Sequence, residues 1–179
     1  CPRSAILITG ESFGAGVATF GMFYLQAKGY NVQMSYNYGS PRVGNAKWAD
    51  TYNTWFKRPV PGFRLTHGHD VVTHLPPRTF MGYVHVNSEV YYPAEDPYDY
   101  VVCLYGEAPE CANRNNMADC LGNDFLDKDH CKSGLAVGGD SCQCPMSPWW
   151  KWYNATVRHP DPTSAYYKPV SKPGAPVKN

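Results

Sequence analysis

Gly10-Glu11-Ser12-Phe13-Gly14 places a serine with a glycine two positions to either side. That spacing suits a hydroxyl carried on a sharp strand-to-helix turn. Small residues two positions away let the turn close and leave the serine oxygen standing free as a nucleophile. The context agrees: Ser4-Ala5-Ile6-Leu7-Ile8-Thr9 is a short apolar run ahead of the turn, and a helix-compatible stretch follows it. The backbone N–H of Phe13, at the start of that helix, is placed to donate to an oxyanion as the carbonyl is attacked.

The elements needed to hold such a turn can be read outward from it. Residues 4–9 read as a buried strand ended by Gly10, and Phe13 to Lys28 as a helix stopped by Gly29. Val32 to Tyr38 reads as a second strand, followed by the turn Gly39-Ser40-Pro41. Asn45 to Phe56 is a helix with Asn45 as its N-cap. Gly62 to Thr66 is a third strand, the polar segment His67 to His74 leads to Pro76-Pro77, and Val84 to Tyr92 is a fourth. Strand, helix, strand, helix, strand is the pattern of an α/β fold with a mostly parallel sheet. The pattern stops near residue 93. Residues 1–93 therefore form the core segment, 94–167 a loop-rich, cysteine-bearing extension, and 168–179 a flexible Pro/Lys-rich tail.

Composition sets the outer limits. The 179 residues are 43% hydrophobic and 17% charged, which is enough apolar side chain for a packed core and excludes a chain that is as a whole a disordered acidic or basic tail. Sixteen basic against 15 acidic residues, a formal charge of +1 with no basic run, argue against nucleic acid as a partner. No apolar run is long enough to span a membrane. Six of the seven cysteines (Cys103, Cys111, Cys120, Cys131, Cys142 and Cys144) crowd one stretch, and none forms a CxxC pair. That density reads as disulfides in an oxidising, extracellular compartment rather than as a zinc site. The sequon Asn154-Ala155-Thr156 fits the same compartment and makes Asn154 a glycosylation candidate. Trp149, Trp150, Trp152 and Tyr153 suit either a lipid interface or a buried place beneath the extension.

ILITGESFGAGVATF resembles the nucleophile elbow of the class 3, fungal-type lipases. Three further segments resemble that family in order: the turn YGSPRVGN at residues 38–45, the acid loop FRLTHGHDVVTHLPP at 63–77, and the strand GYVHVNSEVYY at 82–92. The elbow departs from the family pattern at Glu11, where His or Tyr is usual, at Phe13 for Leu, and at Ala15 for Gly. Glu11 sets a carboxylate beside the nucleophile, which bears on pH response or substrate charge unless it is a solvated side chain or a structural salt bridge.

The resemblance implies the C-terminal portion of an α/β-hydrolase fold and a secreted serine hydrolase that cleaves carboxylic esters through an acyl-enzyme. Ser12 would be the nucleophile and Asp70 the acid that fixes the tautomer of the catalytic histidine. That histidine should follow Asp70 in the chain, which leaves His85, His130 and His159. Asp129-His130, anchored by Cys131, resembles the Asp-His pair of the family's late, disulfide-held loop, so His130 is preferred, although the aromatic usually found just after it is missing. His67, His69, Asp70 and His74 raise a metal-site alternative, but the match to the acid loop accounts for the same residues, and neither metal nor cofactor is expected. Triacylglycerol lipase, phospholipase A1 and feruloyl-type esterase remain as substrate classes. In this family further strands precede the elbow strand and one of their loops donates the second oxyanion N–H. The expectation is thus an N-terminal polypeptide of the same precursor, with Cys1 the candidate disulfide link to it; the alternative is a chain that folds alone with a rebuilt sheet edge, Cys1 being free or paired within the extension. The alternative reading is a non-catalytic secreted binding or structural protein that retains the lipase fold.

Overall fold

The computed structural model describes residues 4–56, 62–96, 98–122 and 129–130, with the backbone of Pro169 and Val170. β1 (Ile6–Glu11), α1 (Phe13–Ala27), β2 (Val32–Tyr38), β3 (Gly44–Asn45), α2 (Ala46–Trp55) and β4 (Gly62–His67) follow one another. A 3-10 turn over Val71–His74 then leads to β5 (Tyr83–Val84), β6 (Glu89–Tyr92) and β7 (Val101–Cys103). A second 3-10 turn at Ala112–Arg114, α3 (Met117–Gly122) and β8 (Pro169–Val170) complete the order.

One sheet runs β1-β2-β4-β6-β7-β8. Its first four strands are parallel, β7 runs antiparallel to β6, and β8 lies parallel to β7. The register decides where function can sit. Glu11 pairs with Tyr38, Tyr38 with Leu65, and His67 with Tyr92, so the carboxyl ends of β1, β2, β4 and β6 are nearly level. Loops leaving that edge converge, which is where open α/β sheets hold their ligands. β3 and β5 form a separate two-stranded antiparallel pair.

Alternating side chains of the buried strands feed both faces. Met22, Val32, Ala49, Tyr52 and Val86 pack one cluster under α1 and α2. Tyr38, Leu65, Val90, Tyr92 and Val102 pack a second, and Tyr91 with Cys103, Ala108, Cys111 and Ala112 a third. The buried charges are paired. Arg64 meets Glu89 at 3.0 Å with both side chains almost fully buried, and Glu89 also accepts from Thr66 Oγ1 at 2.6 Å and from the Ala112 N–H at 3.1 Å. Such a pair must satisfy its remaining polar atoms to repay desolvation.

The structure corrects three expectations. Gly10 does not end the first strand, which continues to Glu11. A Cβ at Gly10 would stand 2.2 Å from the Gly14 carbonyl oxygen, so the glycine is needed for the close return of the chain. Gly14 carries no such requirement: a Cβ there meets no described atom within 4 Å. Val84 to Tyr92 is not one strand. Tyr83 and Val84 pair with Gly44 and Asn45, and only Glu89–Tyr92 joins the main sheet.

β7 joins that sheet from within the segment read as extension, and the Cys103–Cys111 disulfide fastens its end to the following loop. Cys120 is a buried thiol, raised by burial to a pKa of about 11. Cys1, Cys131, Cys142, Cys144, the aromatics at 149–153, Asn154 and His159 lie outside the described residues, as does the tail apart from the two residues of β8. Among the described residues no helix is long and apolar enough to cross a membrane.

Candidate active site

Ser12 occupies the turn between β1 and α1 with φ 57° and ψ −128°, a conformation that L residues rarely adopt. Strain of this kind persists where the surroundings over-determine it. Here the Ser12 N–H donates to Tyr38 O at 2.9 Å, tying the turn to the end of β2. Ala15 N–H returns to Ser12 O at 3.0 Å and opens the helical ladder. The N–H groups of Phe13 and Gly14 stand ahead of it, at the positive end of α1. The Phe13 side chain is exposed.

Asp70 follows β4 and caps the 3-10 turn: its Oδ1 accepts from the Val72 N–H at 2.9 Å, and its carbonyl accepts from Thr73 Oγ1 at 2.7 Å. The GSPR segment braces this loop from the β2 side. The Arg42 N–H donates to Leu75 O at 2.8 Å, and its guanidinium donates to the carbonyls of His74 and Pro76. The same guanidinium forks onto Glu107, with Nε to Oε1 at 2.9 Å and Nη2 to Oε2 at 3.1 Å. Burial works against the Glu107 charge, but the Arg42 hydrogen bonds and charge hold its pKa at about 2.

The structure brings His130, and not His85, to Asp70. His130 Nδ1 lies 2.9 Å from Asp70 Oδ2 and 3.0 Å from Oδ1, with ring and carboxylate both buried. Burial disfavours the charged ring, yet the hydrogen bond and charge of Asp70, joined by the charge of Glu11, hold His130 above the ordinary imidazole value. Its Nε2 faces Glu11 Oε1 at 3.4 Å, while Ser12 Oγ makes no hydrogen bond among the described residues.

The remaining histidines are engaged elsewhere. His85 Nε2 contacts Thr73 O at 2.7 Å, and burial holds the ring well below its ordinary value. His74 Nε2 meets Asn115 O at 3.0 Å. His67 and His69 both turn to Asp129, at 3.3 and 3.7 Å, and the His69 N–H donates to the same carboxylate at 2.8 Å. The polar cluster read from sequence therefore separates: Asp70 serves His130, and His67 and His69 hold the residue preceding it. Sequence reasoning missed this role of Asp129, and also Gly39, whose missing side chain leaves room for His130. Only the glycine following a strand end hinted at the second.

The class 3 lipase family model matches residues 2–80. Secreted mono- and diacylglycerol lipase A of Penicillium cyclopium is 42% identical over 88 residues, covering 49% of this chain and 27% of that protein. Secreted mono- and diacylglycerol lipase 1 of Fusarium solani is 41% identical over 88 residues, covering 49% of this chain and 25% of that protein. The chain thus spans about a quarter of the length of these relatives. Among solved structures, a mutant form of MDLA from Penicillium cyclopium superposes with a TM-score of 0.53 at 33% identity, covering 73% of this chain and 47% of that one. Lipase II from Rhizopus niveus, at 23% identity, shares the fold with a TM-score of 0.58 over 79% of this chain and 51% of that one. Residues 2–80, from the serine turn through the acid loop, thus match the class 3 lipase family, and the mostly parallel sheet they help to build shares its α/β fold with solved fungal lipases.

Proposed function

We propose that this chain carries the catalytic groups of a secreted serine hydrolase that cleaves carboxylic esters. The observation that carries the reading is the buried Asp70–His130 pair, 2.9 Å apart, on the sheet edge that also bears the strained Ser12 turn. Ser12 Oγ attacks the ester carbonyl while His130 Nε2 takes its proton. Asp70, bonded to Nδ1, fixes the tautomer and stabilises the imidazolium. The Phe13 N–H donates to the tetrahedral oxyanion. His130 then returns the proton to the leaving alcohol, and water releases the acid by the same steps in reverse. Relatives named as secreted mono- and diacylglycerol lipases support an acylglycerol ester as substrate and an extracellular setting.

A covering partner belongs to the same reading. Among the described residues, β1 has a strand neighbour on one side only. Leu7 on that strand and Phe13, Val17, Phe20 and Tyr24 on one stripe of α1 are each more than half exposed. An edge and stripe of this kind call for cover. The N-terminal polypeptide of the same precursor fits that place. Mass spectrometry of native material with and without reductant tests it: an active single species of about 20 kDa in both would refute it.

The catalytic reading is tested by an alkyl fluorophosphonate, which should attach to Ser12 and abolish ester hydrolysis. Ser12→Ala should fold normally and lose at least ~10³-fold in turnover, because only oxyanion and binding effects survive. A variant within tenfold of wild type, or labelling at another residue, would refute the assignment and favour a non-catalytic relative or another nucleophile.

A further inference from the structure

The Nε2 edge of His130 has two claimants. Ser12 Oγ must reach it for catalysis, and Glu11 Oε1 already lies 3.4 Å away. The ring thus sits between two carboxylates, Asp70 on Nδ1 and Glu11 on Nε2. His130 is 5% exposed and the Glu11 side chain 30%, so the contact is sheltered on the ring side. Glu11 Oε1 is itself buried with no hydrogen-bond partner among the described residues, so no rival donor holds it there. The other ionisable groups nearby face elsewhere. Asp129 is turned to His67 and His69, Cys120 Sγ lies 3.8 Å from His74 Nδ1, and His85 reaches Thr73 O. Among the described residues, the charges that face His130 come from the acid loop and from the end of β1.

We propose that Glu11 is a positioning residue for the base: ionised, it takes the Nε2–H of His130, competes with Ser12 for that edge, and so sets the pH at which the base is free. The proposal rests on the reading of Ser12, Asp70 and His130 as the catalytic set. The proton balance is simple. With Nε2 protonated, the imidazolium donates to Glu11 and has no lone pair to accept the Ser12 proton. When that proton leaves to solvent, the Nε2 lone pair faces an anionic oxygen and the contact turns repulsive. The ring is then released toward Ser12 Oγ. The same charge stabilises the imidazolium that forms as Ser12 attacks, so Glu11 moves the acid limb of activity without supplying a chemical step. Burial and the charge of Asp70 hold Glu11 itself above the ordinary carboxylate value, against the pull of His130.

The test reads the ring directly. NMR of the full chain, labelled with ¹⁵N at histidine, should show the His130 midpoint falling by roughly one pH unit in Glu11→Gln, as expected for removing one opposite charge from a partly screened contact. The acid limb of kcat/KM for a soluble ester should fall with it. Glu11→Asp, which withdraws the carboxylate by one methylene, should shift both in the same direction by less, and it serves if the glutamine variant folds poorly. A midpoint and a limb unmoved within ~0.2 unit would overturn the proposal while leaving the catalytic reading intact. A shifted midpoint in protein that hydrolyses no ester would overturn the catalytic reading, and the proposal with it.

Discussion

Gly39 follows β2 with φ +55°, and a Cβ built on it would stand 2.8 Å from His130 Cε1, 2.9 Å from His130 Nδ1 and 2.9 Å from Asp70 Oδ2. Non-bonded carbons settle at about 3.5–4.0 Å, so Gly39→Ala requires ring and carboxylate to withdraw by roughly 0.6–1 Å. The Nδ1 to Oδ2 hydrogen bond begins at 2.9 Å, and a retreat of that size carries it to the limit of useful geometry. The left-handed backbone adds a strain of about 1 kcal/mol for a residue with a Cβ. A catalytic group misplaced by about 1 Å costs on the order of 100-fold in rate, and that is the loss expected in kcat/KM for a soluble chromogenic ester. Urea denaturation should show a parallel loss of about 1–2 kcal/mol. Gly21→Ala is the matched control: it lies inside α1, and its Cβ would meet no described atom within 4 Å. It should gain about 0.5–1 kcal/mol from helix propensity alone. Gly39→Ala turning over within about threefold of wild type would refute the reasoning, since the pair would then have found room these contacts deny it.

Acid should destabilise the fold through Glu107, whose carboxyl falls from an ordinary 4.5 to about 2 when folded. A depressed carboxylate contributes above its unfolded value and is lost as pH drops through its folded one, so about 3 kcal/mol should disappear between about pH 4.5 and 2. His85, held well below its ordinary value, acts in the same direction at higher pH because the unfolded chain takes the proton first. Urea midpoints across that range should fall steeply in wild type and flatten in Glu107→Gln; equal slopes would refute the linkage. Opening the Cys103–Cys111 disulfide, which spans a sequence separation of 8, should cost about 2–3 kcal/mol. Equal stability of wild type and the paired Cys103→Ala, Cys111→Ala variant would show that β7 needs no such closure.

What was legible in the sequence was local. Val32–Tyr38 stands as read, α1 ends one residue before the expected Lys28, and Asn45 caps α2 by accepting from the Trp48 N–H at 3.0 Å. Apolar run, cap and stop are each written within a few residues. The division of Val84 to Tyr92 was not legible, because Tyr83 and Val84 are held by Gly44 and Asn45, about forty positions away. The same limit applies at the site. Residue type and chain order leave His85, His130 and His159 open, and only the resemblance of the Asp129-His130 pair favours His130; the structure carries His130 across 60 positions to Asp70 and buries His85 against Thr73. Glu11 stood out in the sequence as a carboxylate beside the serine, but its partner was open there, since nothing local says which face of the turn His130 approaches.

These long-range contacts share one cause. A backbone twisted to φ 57° at Ser12 holds only if both flanking elements are fixed, and the Ser12 N–H to Tyr38 O bond fixes them through β2. β2 in turn delivers Gly39, which must lack a side chain for His130 to lie against Asp70. Two residues after Gly39 the chain reaches Pro41 and then Arg42, which grips the carbonyls of the loop that carries Asp70. Serine, acid and histidine are therefore set by a single strand end that supplies none of them. Side chains change face with every one-residue slip between β1 and β2, so the register Glu11–Tyr38 governs the site as firmly as the identity of Ser12 does. The GSPR segment thereby couples the sheet register to the placement of Asp70 and His130.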